Sequence, residues 1–417
     1  MENSEFHIAY DPNFLVIKKS DNEYVFYNSI QHVGISLSKI EMYILNLFYT
    51  YQNIDYIVNL FSKEKKHIIE ATLLRIKKDN VLSVTPVKKE DSTSYSFIYP
   101  KQYYFHLTYK CNLSCSYCYN KEIRKSTTEM SLECWLRIID KISNYAEQIV
   151  LTGGECFEYP HIFEIVQHIK NRNSKIYLSC ISNCMHDFYN GAWDNILDYI
   201  DDLILSCDSI TKAGERKGFN PDVFQKNIIY LKKNKKHIRI SVSQTATKNN
   251  AEDITIARQF CNTTGCLYRS VAVIPNNLND IRLLPPFIER TENESLCSSP
   301  DTADFLPPKR EECGAGRTVC SIDPTGNVFP CQSLHYKEFC MGNILRQDIK
   351  EMTRPNIPTV DELDGCNKCK VKYICGGGCF ANSYKIKKKR TERNRWICPY
   401  DYHIAEQRLL NLKNRPL

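Results

Sequence analysis

The chain has 417 residues, of which 42% are hydrophobic and 25% charged, with a formal net charge of +7. That balance fits a globular protein with room for two or three domains. No apolar run approaches the roughly 20 residues of a membrane span, and residues 1–10 lack the basic-then-apolar pattern of an export signal, so no membrane association and a cytoplasmic location are expected. In reducing cytosol, 20 cysteines point to metal binding or catalysis rather than disulfides. The basic runs at 232–236 and 385–395 read as solvated faces, and a nucleic-acid partner is not expected.

Residues 1–86 carry no closely spaced cysteines. Phe14-Leu15-Val16-Ile17 and Tyr24-Val25-Phe26-Tyr27 flank the polar Ser20-Asp21-Asn22-Glu23 and predict a hairpin. Ser38, with Glu41 three residues on, forms a capping box for a helix whose apolar face is Ile40, Tyr43, Ile44, Leu47 and Phe48. Helical patterns follow at 54–61 and 66–78, then a short strand at 81–84. A hairpin followed by three helices is the element order of a winged helix, open to a peptide, to DNA or to a purely structural role. Residues 87–100 begin with Lys, Glu, Asp, Ser and Thr and read as a linker.

From 101 to 276, β-like runs at 103–108, 148–152, 175–182, 202–207, 237–245 and 268–274 alternate with helical patterns. The clearest helix is 131–145, with the stripe Leu132, Trp135, Leu136, Ile138, Ile139 and Ile142. Six such alternations imply a parallel α/β sheet, whose ligands bind beyond the carboxyl ends of the strands. The polar motifs fall at those ends. After the first run, Cys111-x3-Cys115-x2-Cys118 can turn three thiolates toward one point. A cubane iron–sulfur cluster so held keeps one iron open, and half of a zinc site is the competing reading. Gly153-Gly154-Glu155 follows the second run, where glycines admit close backbone approach and a carboxylate can meet an ammonium. Ser182-Asn183 ends the third run and Ser206-Cys207-Asp208 the fourth, with Arg216 shortly beyond.

Residues 277–308 break the alternation and read as a bridging region. In 309–417 the cysteines are dense. Cys313 precedes Gly326 in the turn sequence Asp323-Pro324-Thr325-Gly326-Asn327, then come Cys331, Cys366-x2-Cys369-x5-Cys375-x3-Cys379 and Cys398. Four of these alone could make a tetrahedral zinc site.

Together these motifs closely resemble the radical S-adenosylmethionine (radical SAM) superfamily, with a C-terminal SPASM domain. The resemblance implies a partial (β/α)6 barrel over 101–276. It implies that the open iron at Cys111, Cys115 and Cys118 chelates SAM, which is cleaved to a 5′-deoxyadenosyl radical. Gly153, Gly154 and Glu155 would grip the SAM amine, Ser182 and Asn183 the ribose or carboxylate, Ser206 and Asp208 the sugar, Arg216 the carboxylate, and Tyr117 the adenine. Cys156 and Cys184 stand where the family has Pro and Gly. In the SPASM domain, Cys313, Cys331 and Cys379 would hold a first auxiliary cluster, with Cys320 as candidate fourth ligand. Cys366, Cys369, Cys375 and Cys398 would hold a second, giving three [4Fe-4S] clusters in all. The remaining cysteines read as small buried hydrophobes.

Residues 1–86 resemble the winged-helix domain, the RiPP recognition element, that adds the leader of a ribosomally made precursor peptide as an extra strand. The expected activity is therefore peptide maturation by an intramolecular cross-link. A cysteine thioether, as in sactipeptides and ranthipeptides, comes first, and carbon–carbon or carbon–oxygen links use the same architecture. A flavodoxin- or ferredoxin-type electron donor is the implied partner. A sulfatase maturase has an aspartate after the cysteine that follows the Gly spacing, where this chain has Gln332. A cluster-bearing winged-helix DNA regulator and a catalytically silent peptide scaffold are the readings from other classes.

Overall fold

A computed structural model describes residues 6–84, 97, 99–121, 128–285, 313–393 and 395–410. The expected linker and bridging region lie largely outside the described residues. The chain divides into two compact units, one of Met1–Ser94, Ser299–Glu312 and Pro358–Leu417, the other of Tyr95–Ser298 and Cys313–Ile357. The division at 94/95 falls inside the expected linker 87–100, and the cysteine-rich C-terminal region is itself divided between the units.

In the first unit, strands β1 (Phe14–Lys18), β2 (Glu23–Asn28) and β3 (Val33–Ser38) form an antiparallel sheet in that order. Helices α1 (Lys39–Tyr51), α2 (Ile54–Asn59) and α3 (Lys66–Lys78) follow. The capping box is present: Ser38 N–H donates to Glu41 Oε2 at 2.8 Å, and Glu41 N–H to Ser38 Oγ at 3.3 Å. The third strand, absent from the sequence reading, has a period-2 pattern in which Val33, Ile35 and Leu37 alternate with Gly34 and Ser36. The α1 face is rotated from expectation. Met42, Ile44 and Leu45 are buried, whereas Ile40 and Tyr43 are 62% and 51% exposed. Residues 81–84 are not a strand. Their carbonyls at Val81 and Ser83 accept from the Asn28 side-chain amide at 2.8 and 2.9 Å, which satisfies them without a ladder.

Both faces of β2 are covered. Tyr24 and Phe26 pack with Phe14, Leu37, Met42, Leu45 and Ile76. Val25 and Tyr27 pack with Val371, Ile374, Ala405 and Leu409, contributed by α9 (Lys372–Cys375) and α11 (Cys398–Leu410) and the residue before α9. Strand alternation thus makes one strand the centre of two cores. The short α10 (Phe380–Lys387) lies between α9 and α11 in sequence.

The second unit is built on six parallel strands: β4 (Gln102–Thr108), β6 (Gln148–Gly153), β7 (Tyr177–Ser182), β8 (Asp202–Cys207), β10 (Arg239–Ala246) and β11 (Leu267–Ala272). They neighbour one another in chain order, the order of an open β/α barrel. Between them run α4 (Leu132–Ile142), α5 (Ile162–Arg172), α6 (Asp194–Leu197), α7 (Pro221–Asn234) and α8 (Asp253–Thr264). Ser131 caps α4, and the apolar stripe packs as its spacing predicts, with Trp135 5.0 Å from Phe105. Two minor strands, β5 (Ser114–Cys115) and β9 (Arg216–Lys217), pair with each other. β12 (Val319–Ile322) joins the sheet parallel to β4, and β13 (Asn327–Phe329) and β14 (Gly342–Asn343) extend it antiparallel. Among the described residues no helix is long and apolar enough to cross a membrane.

Asn28→Ala should leave the carbonyls of Val81 and Ser83 without their partner and destabilise the first unit by about 2 kcal/mol, read as a lower urea midpoint. An unchanged midpoint would show that the 81–84 segment does not depend on this amide.

Candidate active site

The three-cysteine loop springs from the end of β4 and is fastened by residues from other strand ends. β5, inside the loop, pairs with β9 so that Cys115 lies opposite Arg216. Ser116 N–H donates to Glu215 O at 3.0 Å and its hydroxyl to Glu215 Oε2 at 2.7 Å. The Asn183 amide, just beyond β7, donates to Asn112 Oδ1 at 2.7 Å and reaches Cys111 Sγ at 3.7 Å. Asn276, beyond β11, donates to Tyr117 O at 2.9 Å.

The glycines of Gly153-Gly154-Glu155 have a steric reason. A Cβ on Gly154 would sit 2.0 Å from Lys110 O, and one on Gly153, at φ +136°, 2.1 Å from Thr108 O. The end of β6 therefore lies directly against the start of the cysteine loop, where Gly154 N–H donates to Thr108 O at 2.8 Å and Glu155 N–H to Lys110 O at 2.9 Å. The approach expected toward a ligand is here an approach of backbone to backbone. Glu155 is buried beneath the loop and accepts from Asn183 N–H at 2.7 Å and Phe157 N–H at 3.3 Å. Burial raises its carboxyl to about 7, against the pull of these donors and of Ser182. Cys184, in place of the family's glycine, takes the left-handed backbone itself at φ 63° and is fully buried, a conformation that strains a residue with a Cβ.

Asp208 and Arg216 form the other wall. Asp208, fully buried, accepts from Arg216 Nε at 2.8 Å, from Glu215 N–H at 3.1 Å and from the Tyr117 hydroxyl. Arg216 reaches Cys115 Sγ at 3.9 Å and Thr245 Oγ1 at 3.4 Å, and lies over the Tyr117 ring at 5.6 Å. Burial works against its charge, but Tyr117, Asp208 and Cys115 beside it keep the guanidinium firmly protonated. Burial also pushes the Cys115 thiol up to about 11, with Arg216 opposing. The residues brought together are thus Cys111, Cys115, Tyr117, Glu155, Ser182, Asn183, Asp208 and Arg216. Ser206, half-buried two residues before Asp208, is paired in register with Ser243. Sequence reading missed Asn112, Glu215, Thr245 and Asn276, of which Thr245 and Asn276 carried a signal, their places at strand ends.

A second thiol-rich site lies in the other unit, in a pocket lined by Cys366, Cys369, Cys375, Cys379 and Cys398 together with Arg393 and Asp401. Gly376, Gly377 and Gly378 all have positive φ. A Cβ would fall 2.3 Å from Asp401 Oδ2 at Gly378 and 2.5 Å from Leu363 Cδ1 at Gly377. This turn aims the N–H groups of Gly377 and Gly378 at the Cys375 sulfur, and Arg393 reaches Cys398 Sγ at 3.6 Å. Such donors suit thiolates rather than inert thiols. The same test favours the first loop, where Leu113 N–H and Asn183 point at Cys111 Sγ and Arg216 at Cys115 Sγ. Among the described residues no three His, Cys, Asp or Glu side chains converge on a single-ion position, whereas a cubane takes each thiolate at a different iron.

Cys313 is exposed and Cys331 half-buried. Cys320 is 0% exposed in the main core, opposite Tyr103 in the β12–β4 register. Its neighbour Ser321 pairs with Tyr104 on the other sheet face, the face on which Cys331 acts electrostatically on Tyr104. Of the cysteines taken as buried, Cys156, Cys180, Cys184, Cys207, Cys261 and Cys266 are buried, Cys134 is half-buried and Cys340 exposed. Cys297 lies outside the described residues.

Gly154→Ala should force the β6 end off the loop, destabilising the second unit by several kcal/mol and lowering iron uptake at the loop. Wild-type stability and iron content in that variant would show that the close approach is dispensable.

The radical SAM superfamily matches at residues 105–242, and an iron–sulfur cluster-binding domain, SPASM, at 313–371. The chain is 24% identical over 347 residues to the antilisterial bacteriocin subtilosin biosynthesis protein AlbA of Bacillus subtilis (strain 168), covering 72% of each chain. Among solved structures, anSMEcpe with bound AdoMet superposes with a TM-score of 0.55 at 18% identity, over 75% of this chain and 98% of that one. Streptococcus suis SuiB bound to its precursor peptide SuiA superposes at 0.54 and 16% identity, over 93% of this chain and 98% of that one. With the strand-end constellation and the thiolate-directed donors, these matches give the chain a radical SAM domain at 105–242 followed by an iron–sulfur cluster-binding SPASM domain at 313–371, the domains of a radical SAM enzyme.

Proposed function

We propose that the chain matures a ribosomally made precursor peptide in the cytoplasm by installing an intramolecular cross-link, with a cysteine thioether as the bond formed. The observation that carries this reading is the first unit, in which a three-stranded sheet with three helices shares one hydrophobic cluster with the five-cysteine pocket. An antiparallel sheet with free edges in the described residues suits capture of an extended leader as an added strand, the role assigned to the N-terminal domain. The likeness to AlbA and to peptide-bound SuiB supports a peptide substrate.

Cys111, Cys115 and Cys118 would hold the initiating [4Fe-4S] cluster, which with SAM and an electron from a flavodoxin or ferredoxin supplies the 5′-deoxyadenosyl radical. Cys366, Cys369, Cys375 and Cys398 would hold an auxiliary cluster, and the reading includes a third cluster. The chain's own residues do the positioning. Glu155 offers a carboxylate for the SAM amine, with Gly153 and Gly154 fixing its height under the loop. Ser182 and Asn183 border the ribose and carboxylate, and Tyr117 the adenine. Asp208, held by Tyr117, Arg216 and Glu215 N–H, borders the sugar together with Ser206, two residues before it.

Co-expression with a small cysteine-containing precursor peptide, sought as an open reading frame beside the gene, should give a product lighter by about two mass units per cross-link, because two hydrogens are lost. Cys115→Ala should give unchanged peptide. An unchanged mass with the wild-type enzyme under anaerobic, iron-replete conditions would contradict cross-linking.

The raised carboxyl of Glu155 gives a pH dependence. Below about 7 it holds a proton and is a poor acceptor for the amine, and above that it is ionised. SAM affinity should therefore rise as pH approaches 7 and level off beyond it. Glu155→Gln should flatten this profile and weaken binding by about tenfold. A wild-type affinity that is flat from pH 5.5 to about 8 would remove Glu155 from the amine site.

A further inference from the structure

Arg269 is a cation inside the second unit that neither the cysteine loop nor its bracing uses. It lies on β11, the last strand of the parallel sheet, paired in register with Ser243 on β10, which in turn pairs with Ser206 on β8. Alternation along each strand settles which face these three side chains share. Leu205 and Cys207 beside Ser206, and Val242 beside Ser243, belong to the core under the helices, and Tyr268 beside Arg269 lies against Arg258 of α8 at 5.7 Å. Ser206, Ser243 and Arg269 therefore form one row on the inner face of the open barrel, with the guanidinium at its end.

The first strand supplies the other side of the same space. On β4, Tyr103 and Phe105 belong to the helix-side core, so Tyr104 faces inward, opposite Ser321 of β12. Arg269 and Cys331 both act electrostatically on Tyr104. Because β4 and β11 are the two ends of the six-strand order, that reach runs across the inside of the barrel and not along the sheet. Arg269 is half-buried, and among the described residues its one hydrogen bond is from Nε to Ser243 Oγ at 3.0 Å, with no carboxylate in ion-pair range. Arg239, on the same face of β10, is treated differently: the Asp202 carboxylate takes it at 2.9 and 3.1 Å. Leu267 and Val271, two residues before and after Arg269 on its own face, are 55% and 41% exposed. A guanidinium flanked by two uncovered apolar side chains and turned into a barrel suits an anion carried on an apolar chain.

We propose that Arg269 is a specificity-determining residue for the peptide, its terminal nitrogens taking a carboxylate of the substrate inside the barrel, in the space that Tyr104 shares with Cys331. The proposal rests on the peptide-maturase reading above and adds to it an acidic requirement in the peptide. The guanidinium fork favours a carboxylate over a thiolate, since two parallel N–H groups match two oxygens and a sulfur offers one acceptor atom. The carboxylate is that of an Asp or Glu side chain or of the peptide C-terminus, and the two sources separate on the peptide side of the test.

The test uses full-length protein reconstituted anaerobically, wild type and Arg269→Gln, with the cysteine-containing precursor peptide sought as an open reading frame beside the gene. The peptide is prepared unchanged, with each Asp or Glu changed in turn to Asn or Gln, and with an amidated C-terminus. Cross-linked product is followed by mass spectrometry to give kcat and KM. Arg269→Gln should raise KM for the unchanged peptide at least about tenfold, with kcat within about threefold of wild type. One altered peptide should show the same rise with the wild-type enzyme and change KM by less than about twofold with Arg269→Gln, because its partner is already gone. Which peptide does so identifies the source of the carboxylate. A wild-type KM indifferent to every carboxylate of the peptide would overturn the proposal without recourse to the variant. A KM in Arg269→Gln within about twofold of wild type, or peptide effects that multiply with the variant instead of vanishing, would overturn it too. A wild-type enzyme that yields no cross-linked peptide would overturn the underlying reading and this proposal with it, a result distinct from a wild-type enzyme that works equally well on every peptide.

Discussion

Among the described residues, the tightest backbone approach at a glycine is the contact between the ends of β4 and β6. Gly154 has no room for a Cβ because Lys110 O occupies the position, and Gly153 is in the same condition against Thr108 O. Two short backbone hydrogen bonds join the strands there. The cysteine loop therefore leaves β4 at a height set by β6, and Glu155 is delivered directly beneath it. From that position Glu155 takes the N–H of Asn183 at the end of β7, and Asn183 in turn grips Asn112 inside the loop. Three strand ends and the loop are locked through one carboxylate.

The opposite side of the loop is held by charge. Asp208 at the end of β8, Arg216 on β9 and Tyr117 in the loop close on one another, and Thr245 at the end of β10 joins through Arg216. The two sides differ in chemistry: one presents a buried carboxylate with amide donors, the other a paired guanidinium. A loop so braced can present thiolates without large movement on binding its cofactor, which is the preorganisation that reactive sites need. The second cysteine site uses the same device with other parts, since glycine N–H groups and Arg393 face the sulfurs of Cys375 and Cys398.

Much of the fold was legible because its signals are local. β-like runs alternating with helical patterns marked the parallel strands, Ser38 with Glu41 marked the start of α1, and the stripe from Leu132 to Ile142 marked α4. The face of α1 was ambiguous because Ile40, Met42, Tyr43, Ile44, Leu45, Leu47 and Phe48 leave almost no polar side, and only the β3 junction decides that Met42 and Leu45 turn inward. The sharing of β2 between two cores depends on α9 and α11, more than 300 residues away in the sequence, so no window could reveal it. Cys320, whose spacing fits a ligand, lies in the main core opposite Tyr103, a burial that spacing alone does not reveal. Of the site, the cysteines, Glu155, Asn183, Asp208 and Arg216 stood out as strand-end polar residues. The identity of their partners did not, because Asp208–Arg216–Cys115 is a tertiary arrangement that spacing cannot encode.

Everything proposed for this enzyme depends on the braced loop generating a radical. The direct measurement is anaerobic reconstitution with iron and sulfide, reduction with dithionite, and chromatography of the products after SAM is added. The account predicts 5′-deoxyadenosine and methionine in equal amounts from the wild-type protein and neither from Cys115→Ala. A fully iron-loaded, reduced wild-type protein that leaves SAM intact would contradict it.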